Sequence, residues 1–415
     1  GRKPNLEKKF LPYSRQVIDE EDIESVTRVL RSAWLTTGPM VKEFEEKFAE
    51  EVNADYAIAC SSGTGALHLL YVAHGIGPGD SVILPSMTFL ATANAVRYAG
   101  AEVIFSDVDP DTGLMNATHL RDAWTRACNK NIKAVCVVHL NGQCVDMKDM
   151  RREIGDVTLF EDACHSLGAL IGDNSGNKVK VGECYLSNAT IFSTHPVKAI
   201  TTGEGGMITT NDEGLARKLR QLRSHGVRRR QDFTEVDLAD SNTKSFMDPW
   251  YYEMRDLGFN YRLSDIHSAL GISQLKKLKY FVKQRNSLRD RYEQHLCCLG
   301  EHVRPLALVS SCIPAWHLSV ALIDFKEIGI SRSEVINQLS IKGIGTQVHY
   351  IPVHQQPYYK NRYGTLMLPG VSTYYSRCLS LPLWPGMDLN DVDRVIGALA
   401  EVLGVNFDSD ISFVP

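Results

Sequence analysis

Ala189-Thr-Ile-Phe-Ser193-Thr-His-Pro-Val-Lys198-Ala-Ile-Thr-Thr-Gly-Glu204-Gly-Gly-Met207 holds the residue on which the reading of this chain turns. An apolar, β-branched run ends in small polar residues. One lysine follows, and a glycine-rich turn leads into a second strand-like run, Met207-Ile-Thr-Thr210. Most lysines are solvated on protein surfaces. A lysine between two buried strands is costly to keep charged, so it tends to be neutralised or put to chemical use.

Outward from there, Val157-Thr-Leu-Phe-Glu-Asp162-Ala-Cys-His165-Ser-Leu-Gly168 is another apolar run, ending in two acids and opening into small residues. Functional groups of α/β sheets gather at the carboxyl ends of strands. Asp162 and Lys198, each at such an end, are placed to meet in one pocket. Pyridoxal 5′-phosphate (PLP) chemistry requires this pair. The lysine carries the cofactor, and the acid keeps the pyridine nitrogen protonated so that the ring accepts electrons. On position alone, Asp162 reads equally well as a helix cap or a surface acid.

The rest of the chain supplies the frame. Strand-like runs at 56–60, 81–85, 102–105, 133–138 and 157–160 alternate with helical patterns at 19–32, 40–52, 88–98 and 215–224, and the turn 61–65 opens a further helix. Such alternation predicts an α/β fold, a largely parallel central sheet covered by helices on both faces. Residues 264–296 carry a long, kink-prone helical pattern leading into a smaller α/β C-terminal unit. That unit has strands at 317–325 and 345–349 and helices near 331–342 and 390–403. The expected division is 1–270, an N-terminal arm and large domain, and 271–415, the smaller one. The polar, aromatic stretch 228–252 reads as a long loop, functional or mobile.

Composition narrows the function. The chain has 415 residues, 44% hydrophobic and 23% charged, with a net charge of −4. This is an ordinary globular balance with no electrostatic case for nucleic acid. Its ten cysteines form no C-x-x-C pair, so no metal is expected. No secretory signal or long apolar span is visible, so membrane insertion is not expected and the cytoplasm is the expected location.

At this point the resemblance is close. Phe192-Ser-Thr-His-Pro-Val-Lys198-Ala-Ile-Thr-Thr-Gly-Glu-Gly-Gly-Met207 and Glu161-Asp-Ala-Cys-His165-Ser-Leu-Gly-Ala169 resemble the PLP-lysine and cofactor-aspartate motifs of the DegT/DnrJ/StrS family of sugar aminotransferases. The likeness runs from about Tyr13 to the last helix. It implies a PLP fold-type I aminotransferase in which Lys198 and Asp162 are catalytic, cycling PLP and pyridoxamine 5′-phosphate. It also implies further cofactor contacts. Gly63, Thr64 and Gly65 form the phosphate turn, with Gly65 where the family usually has alanine, and Ser193 is a second phosphate contact. Phe89 stacks on the ring, and His165 bonds the ring oxygen. Asn260 reaches the phosphate from the partner subunit of an obligate homodimer; from sequence it also reads as the turn before a helix starting at Ser264 and Asp265.

Trp34-Leu-Thr36-Thr37-Gly38 resembles the loop lining the sugar-nucleotide pocket. Segments around His225, and from Lys342 through His349 and Tyr350 to His354, are similar to the branch that aminates C4 of UDP-linked 4-keto-6-deoxy-N-acetyl sugars in surface-glycan biosynthesis. Glu204 is a further candidate for substrate contact. The implied reactants are a nucleotide-ketosugar and the pair L-glutamate and 2-oxoglutarate. The alternatives are a GDP- or dTDP-ketosugar, or a PLP-dependent lyase using Cys60 or Cys164. The family's dehydratases carry histidine at the lysine position, so Lys198 argues against dehydration. The turn Ser-Ser-Gly-Thr-Gly-Ala-Leu-His, 61–68, lacks the last glycine of a nicotinamide-binding motif.

Overall fold

The computed structural model describes residues 10–172, 176–229 and 248–407. Its centre is a seven-stranded sheet built from β1 (Tyr56–Cys60), β2 (Asp80–Pro85), β3 (Glu102–Ser106), β4 (Asn131–Val138), β5 (Thr158–Asp162), β6 (Ala189–Ser193) and β7 (Gly206–Thr210), in the order β1-β7-β6-β5-β4-β2-β3. β7 runs antiparallel to both of its neighbours, and the pairings from β6 through β5, β4 and β2 to β3 are parallel. The strands are buried almost end to end, which is why they read as apolar runs without alternation. This order sets the carboxyl ends of β4, β5 and β6 side by side, where a ligand crevice forms.

Caps and turns place the helices. Asp19 accepts the amide of Asp22 in a capping box that opens the helix Glu20–Leu30. The helix Pro39–Val52 starts at Gly38, which has no side chain to cap it. Buried Asp265, from a helix far along the chain, accepts the amides of Gly38 at 2.8 Å and Met40 at 2.9 Å instead. The long pattern 264–296 is two helices, Asp265–Leu275 and Leu278–Leu296, broken at Lys276 and Lys277.

Beyond these helices a three-stranded antiparallel sheet joins Val303–Pro305, Ser319–Ile323 and Cys378–Leu381. The strand expected at 345–349 does not form. Gln347 makes a single bridge to Ser380, then its own side chain accepts the Val348 amide at 2.9 Å, and the chain leaves the sheet. In the N-terminal arm, Leu11 bridges to Ile344 and the Tyr13 carbonyl accepts the Leu383 amide, which ties the arm to residues beside the C-terminal sheet. Val227–Arg229 and Tyr252–Met254, the two ends of the expected loop 228–252, pair as an antiparallel ribbon; residues 230–247 lie outside the described residues. Among the described residues no helix is long and apolar enough to cross a membrane.

Candidate active site

The carboxyl ends of β4, β5 and β6 open into a cavity of about 300 Å³. Asp162 ends β5 and is buried. Its Oδ2 accepts from the Thr92 hydroxyl at 2.8 Å and its Oδ1 from the Cys164 amide at 3.2 Å. Thr88 extends the chain, with its hydroxyl 2.8 Å from that of Thr92. These donors fix the carboxylate's orientation, as a charged partner for a ring N–H requires. Lys198 lies across the cavity in the loop between β6 and β7, half-buried. Its surroundings lower its pKa: burial disfavours the ammonium, only partly offset by Cys164 and Asp162. The backbone of this loop is held by the buried Arg285, whose guanidinium donates to the Lys198 carbonyl at 3.0 Å.

The cavity's opposite flank carries imidazoles. His165 Nδ1 accepts the Asn141 amide at 3.3 Å, so its proton sits on Nε2, 3.1 Å from the Tyr350 hydroxyl. Burial, then the charge of Lys198, hold His165 well below the ordinary histidine value. His349 packs against Tyr13, with Nδ1 2.8 Å from the Ser380 hydroxyl, and burial brings it down to about 3. The peptide between His349 and Tyr350 is cis. Beneath the site, His139 Nδ1 accepts the Val145 amide, so its Nε2–H donates to Glu161 at 2.8 Å. Burial pushes the Glu161 carboxyl up, but hydrogen bonds from His139, Ser187 and Thr190 outweigh it, and the carboxyl stays below its ordinary value.

The donor set fits PLP. Phe89, 55% exposed although it lines the cavity, offers a ring face 5.7 Å from Tyr350. Ser62, Gly63 and Thr64 open the helix Gly63–Ala73, facing Ser193. A Cβ at Gly63 would come 3.0 Å from that of Ser193, so glycine keeps the cradle open.

Of the residues predicted from sequence, Lys198, Asp162, Gly63, Thr64, Phe89, His165, Ser193, Glu204, His349 and Tyr350 line this cavity. Gly65 does not. Its amide is taken by Ser62 Oγ at 3.0 Å, and a Cβ on it would lie 3.4 Å from the Tyr261 ring. Thr36, Thr37, His225 and Asn260 are exposed outside the cavity. The thiols weigh against a cysteine-based reaction. Burial raises Cys60 to about 12 and holds Cys164 well above its ordinary value, so neither is a ready thiolate.

Tyr13, Thr92, Asn141, Arg285 and His317 escaped the sequence reading. Two of them left a signal. Thr92 follows Thr88 by one helical turn, and Arg285 interrupts the apolar stripe Leu278, Phe281, Leu288. Tyr13, Asn141 and His317 left none.

Residues 16–400 match the family described as the DegT/DnrJ/EryC1/StrS aminotransferase family. The spore coat polysaccharide biosynthesis protein SpsC of Bacillus subtilis (strain 168) is 39% identical over 399 residues, 95% of this chain and 97% of SpsC. Among solved structures, Helicobacter pylori PseC, an aminotransferase of pseudaminic acid biosynthesis, superposes with a TM-score of 0.83 at 27% identity, covering 95% of this chain and all, 100%, of PseC. Spr1654 of Streptococcus pneumoniae in its PLP form gives 0.81 at 25% identity, over 95% of this chain and 99% of that one. The architecture is that of the PLP fold-type I aminotransferases, and this chain belongs to the DegT/DnrJ/EryC1/StrS aminotransferase family.

Proposed function

We propose that this chain transfers the amino group of L-glutamate to the keto carbon of a nucleotide-linked sugar, with C4 of a UDP-4-keto-6-deoxy-N-acetylhexosamine as the acceptor. The family is PLP-dependent, and the observation that carries the proposal is the convergence of Lys198, Asp162 and the open face of Phe89 on one cavity. Bound PLP supplies an electron sink for the carbanion of the amino acid. The side chains do the rest. Lys198 holds the cofactor and, once released, carries a proton from the amino acid's α-carbon. Its lowered pKa keeps a larger share of the amine in the basic form this needs. Asp162, fixed by Thr92, would hold the ring nitrogen. His165, whose Nε2 lies 3.1 Å from the Tyr350 hydroxyl, would serve the ring oxygen, and Ser62, Gly63, Thr64 and Ser193 would take the phosphate.

A nucleotide sugar needs more room than about 300 Å³, so it extends outward, where Thr36, Thr37 and His225 are exposed. Asn260, exposed in the single chain, serves the site of a second copy in an obligate cytoplasmic homodimer. A division near residue 270 puts Lys198 and Asp162 in the larger unit and His349 and Tyr350 in the smaller, with the cavity between them. The acceptor's identity is supported by the likeness to PseC, described as acting in pseudaminic acid biosynthesis, and to SpsC, described as a spore coat polysaccharide biosynthesis protein. An absorbance scan tests the reading. Protein with PLP shows a visible band, glutamate moves it into the near ultraviolet, and the cognate ketosugar restores it. UDP-, dTDP- and GDP-4-ketosugars are compared in that last step. No visible band would refute the cofactor assignment, and a band indifferent to glutamate would refute the donor.

A further inference from the structure

Arg285 is a buried cation without an anion. It is 3% exposed, burial lowers its pKa to about 10, and among the described residues no carboxylate pairs with it. Its helix, Leu278–Leu296, otherwise buries apolar residues such as Leu278, Phe281 and Leu288. Taking an unpaired charge out of water costs free energy that an apolar side chain of similar length would not incur. Stability alone therefore gives this position no use for a guanidinium. What it touches is the backbone of the cofactor lysine. Nη2 donates to the Lys198 carbonyl at 3.0 Å, and Nη1 reaches the Ala199 carbonyl at 3.4 Å. The Lys198 amide in turn donates to the His195 carbonyl at 2.9 Å. The peptide groups on both sides of the Lys198 α-carbon are thus tied, which fixes the direction in which the side chain enters the cavity.

We propose that Arg285 is a positioning residue for Lys198, holding the carbonyl of the lysine's own peptide so that the amine is placed both to carry the cofactor and to move the proton. This rests on the aminotransferase reading and deepens it. Lysine is a long, flexible side chain, and its amine is placed only as well as its root is held. A misplacement of about 1 Å in a reacting group can cost about a hundredfold in rate. The guanidinium suits the task because its hydrogen bonds are charge-assisted and its planar fork spans two successive carbonyls. The same helix also holds a second wall of the cavity. Asn286 Nδ2 donates to the Pro314 carbonyl at 2.9 Å, and its Oδ1 accepts the Trp316 amide at 3.1 Å. The Arg289 guanidinium lies 4.7 Å over the Trp316 ring. Trp316 precedes His317, which lines the cavity. One helix thereby sets the lysine loop and the 314–317 segment at a fixed separation.

The test asks whether Arg285 acts through Lys198. Arg285→Met removes the charge and both donors, and Arg285→Lys keeps the charge and one donor. Each is compared with wild type for PLP affinity, for the rate at which the visible band forms when PLP is added to cofactor-free protein, and for the rate at which saturating glutamate discharges that band. In Arg285→Met both rates are expected to fall roughly ten- to hundredfold, with glutamate half-saturation within about twofold of wild type. Arg285→Lys should recover a substantial part of each rate, and it keeps the comparison valid if the methionine variant folds poorly. Arg285→Met is then combined with Lys198→Ala, and methylamine is added to replace the missing amine. A free amine is not rooted in the backbone, so the added Arg285→Met should change the methylamine-supported rate by less than about twofold. Wild-type rates in Arg285→Met, or an equal loss with tethered and with added amine, would overturn the proposal, the second by marking a general structural role. So would an Arg285→Lys variant that folds, holds PLP and is as slow as the methionine one, a comparison that decides the matter even where methylamine gives no rescue. A wild-type band indifferent to glutamate would refute the aminotransferase reading instead, and the rates of band formation would then decide the role of Arg285.

Discussion

Replacing His139 by leucine is expected to destabilise the protein, and replacing both His139 and Glu161 to cost less than the two single losses added together. The imidazole is fully buried and its Nε2–H reaches a Glu161 oxygen at 2.8 Å, while its Nδ1 accepts the Val145 amide at 3.1 Å. His139→Leu removes a hydrogen bond to a buried carboxylate, about 1.5–3 kcal/mol, and orphans a backbone amide, about 1–3 kcal/mol more. The expected loss is about 3–5 kcal/mol, the range for breaking one side of a buried charged pair. Adding Glu161→Leu removes the stranded carboxylate, and the hydroxyls of Ser187 and Thr190 that served it are free to turn elsewhere. The double variant should regain about 2 kcal/mol relative to the summed single losses. Urea unfolding of the cofactor-free protein measures each corner of the cycle. Simple additivity, or a loss below about 1 kcal/mol for His139→Leu, would refute this account of the network.

The same carboxyl gives a pH dependence. Glu161 has a lowered pKa when folded, so its stabilisation is complete above the unfolded carboxyl value of about 4.3 and is lost as pH falls through the lower folded one. Wild type should lose stability more steeply than Glu161→Leu across that acid window, by urea midpoints at successive pH values. Lys198→Ala should lose the visible cofactor band and turnover while keeping its fold by circular dichroism; retained turnover would sink the assignment. Asp162→Ala should keep some PLP and lose at least about a hundredfold in rate, and near-normal activity would show the electron-sink role misplaced. Mixing inactive Lys198→Ala and Asn260→Ala subunits should restore up to about a quarter of wild-type activity, because half the dimers then carry one intact site. No recovery after verified subunit exchange would place Asn260 outside the partner's site.

Local sequence carried much of the fold. Runs such as Tyr56–Cys60 and Asp80–Pro85 were legible because burial on both faces demands unbroken apolar stretches. The break at Lys276 and Lys277 was anticipated as a kink because the apolar stripe falters there. Residues 345–349 were misread because the alternating β-branched residues Thr346 and Val348 look like a strand whether or not a partner is present. Only one bridge, Gln347 to Ser380, is available to them.

Lys198 and Asp162 were legible as candidates from sequence alone, since Asp162 closes a strand, Lys198 follows one by a few residues, and each sits in a motif whose residues are neighbours in the chain. Tertiary structure decided what surrounds them. Arg285 holds the Lys198 carbonyl across 87 residues, and Thr92 reaches Asp162 across 70. The Asn141 carbonyl meets the His317 amide, and the arm brings Tyr13 to the cavity wall. The Gly65 amide is taken by Ser62 Oγ. Periodicity and motif spacing record what a residue does within its own turn or strand. Which distant donor meets which acceptor, and which nitrogen is left without one, is settled only when the sheet order and helix packing close around the site.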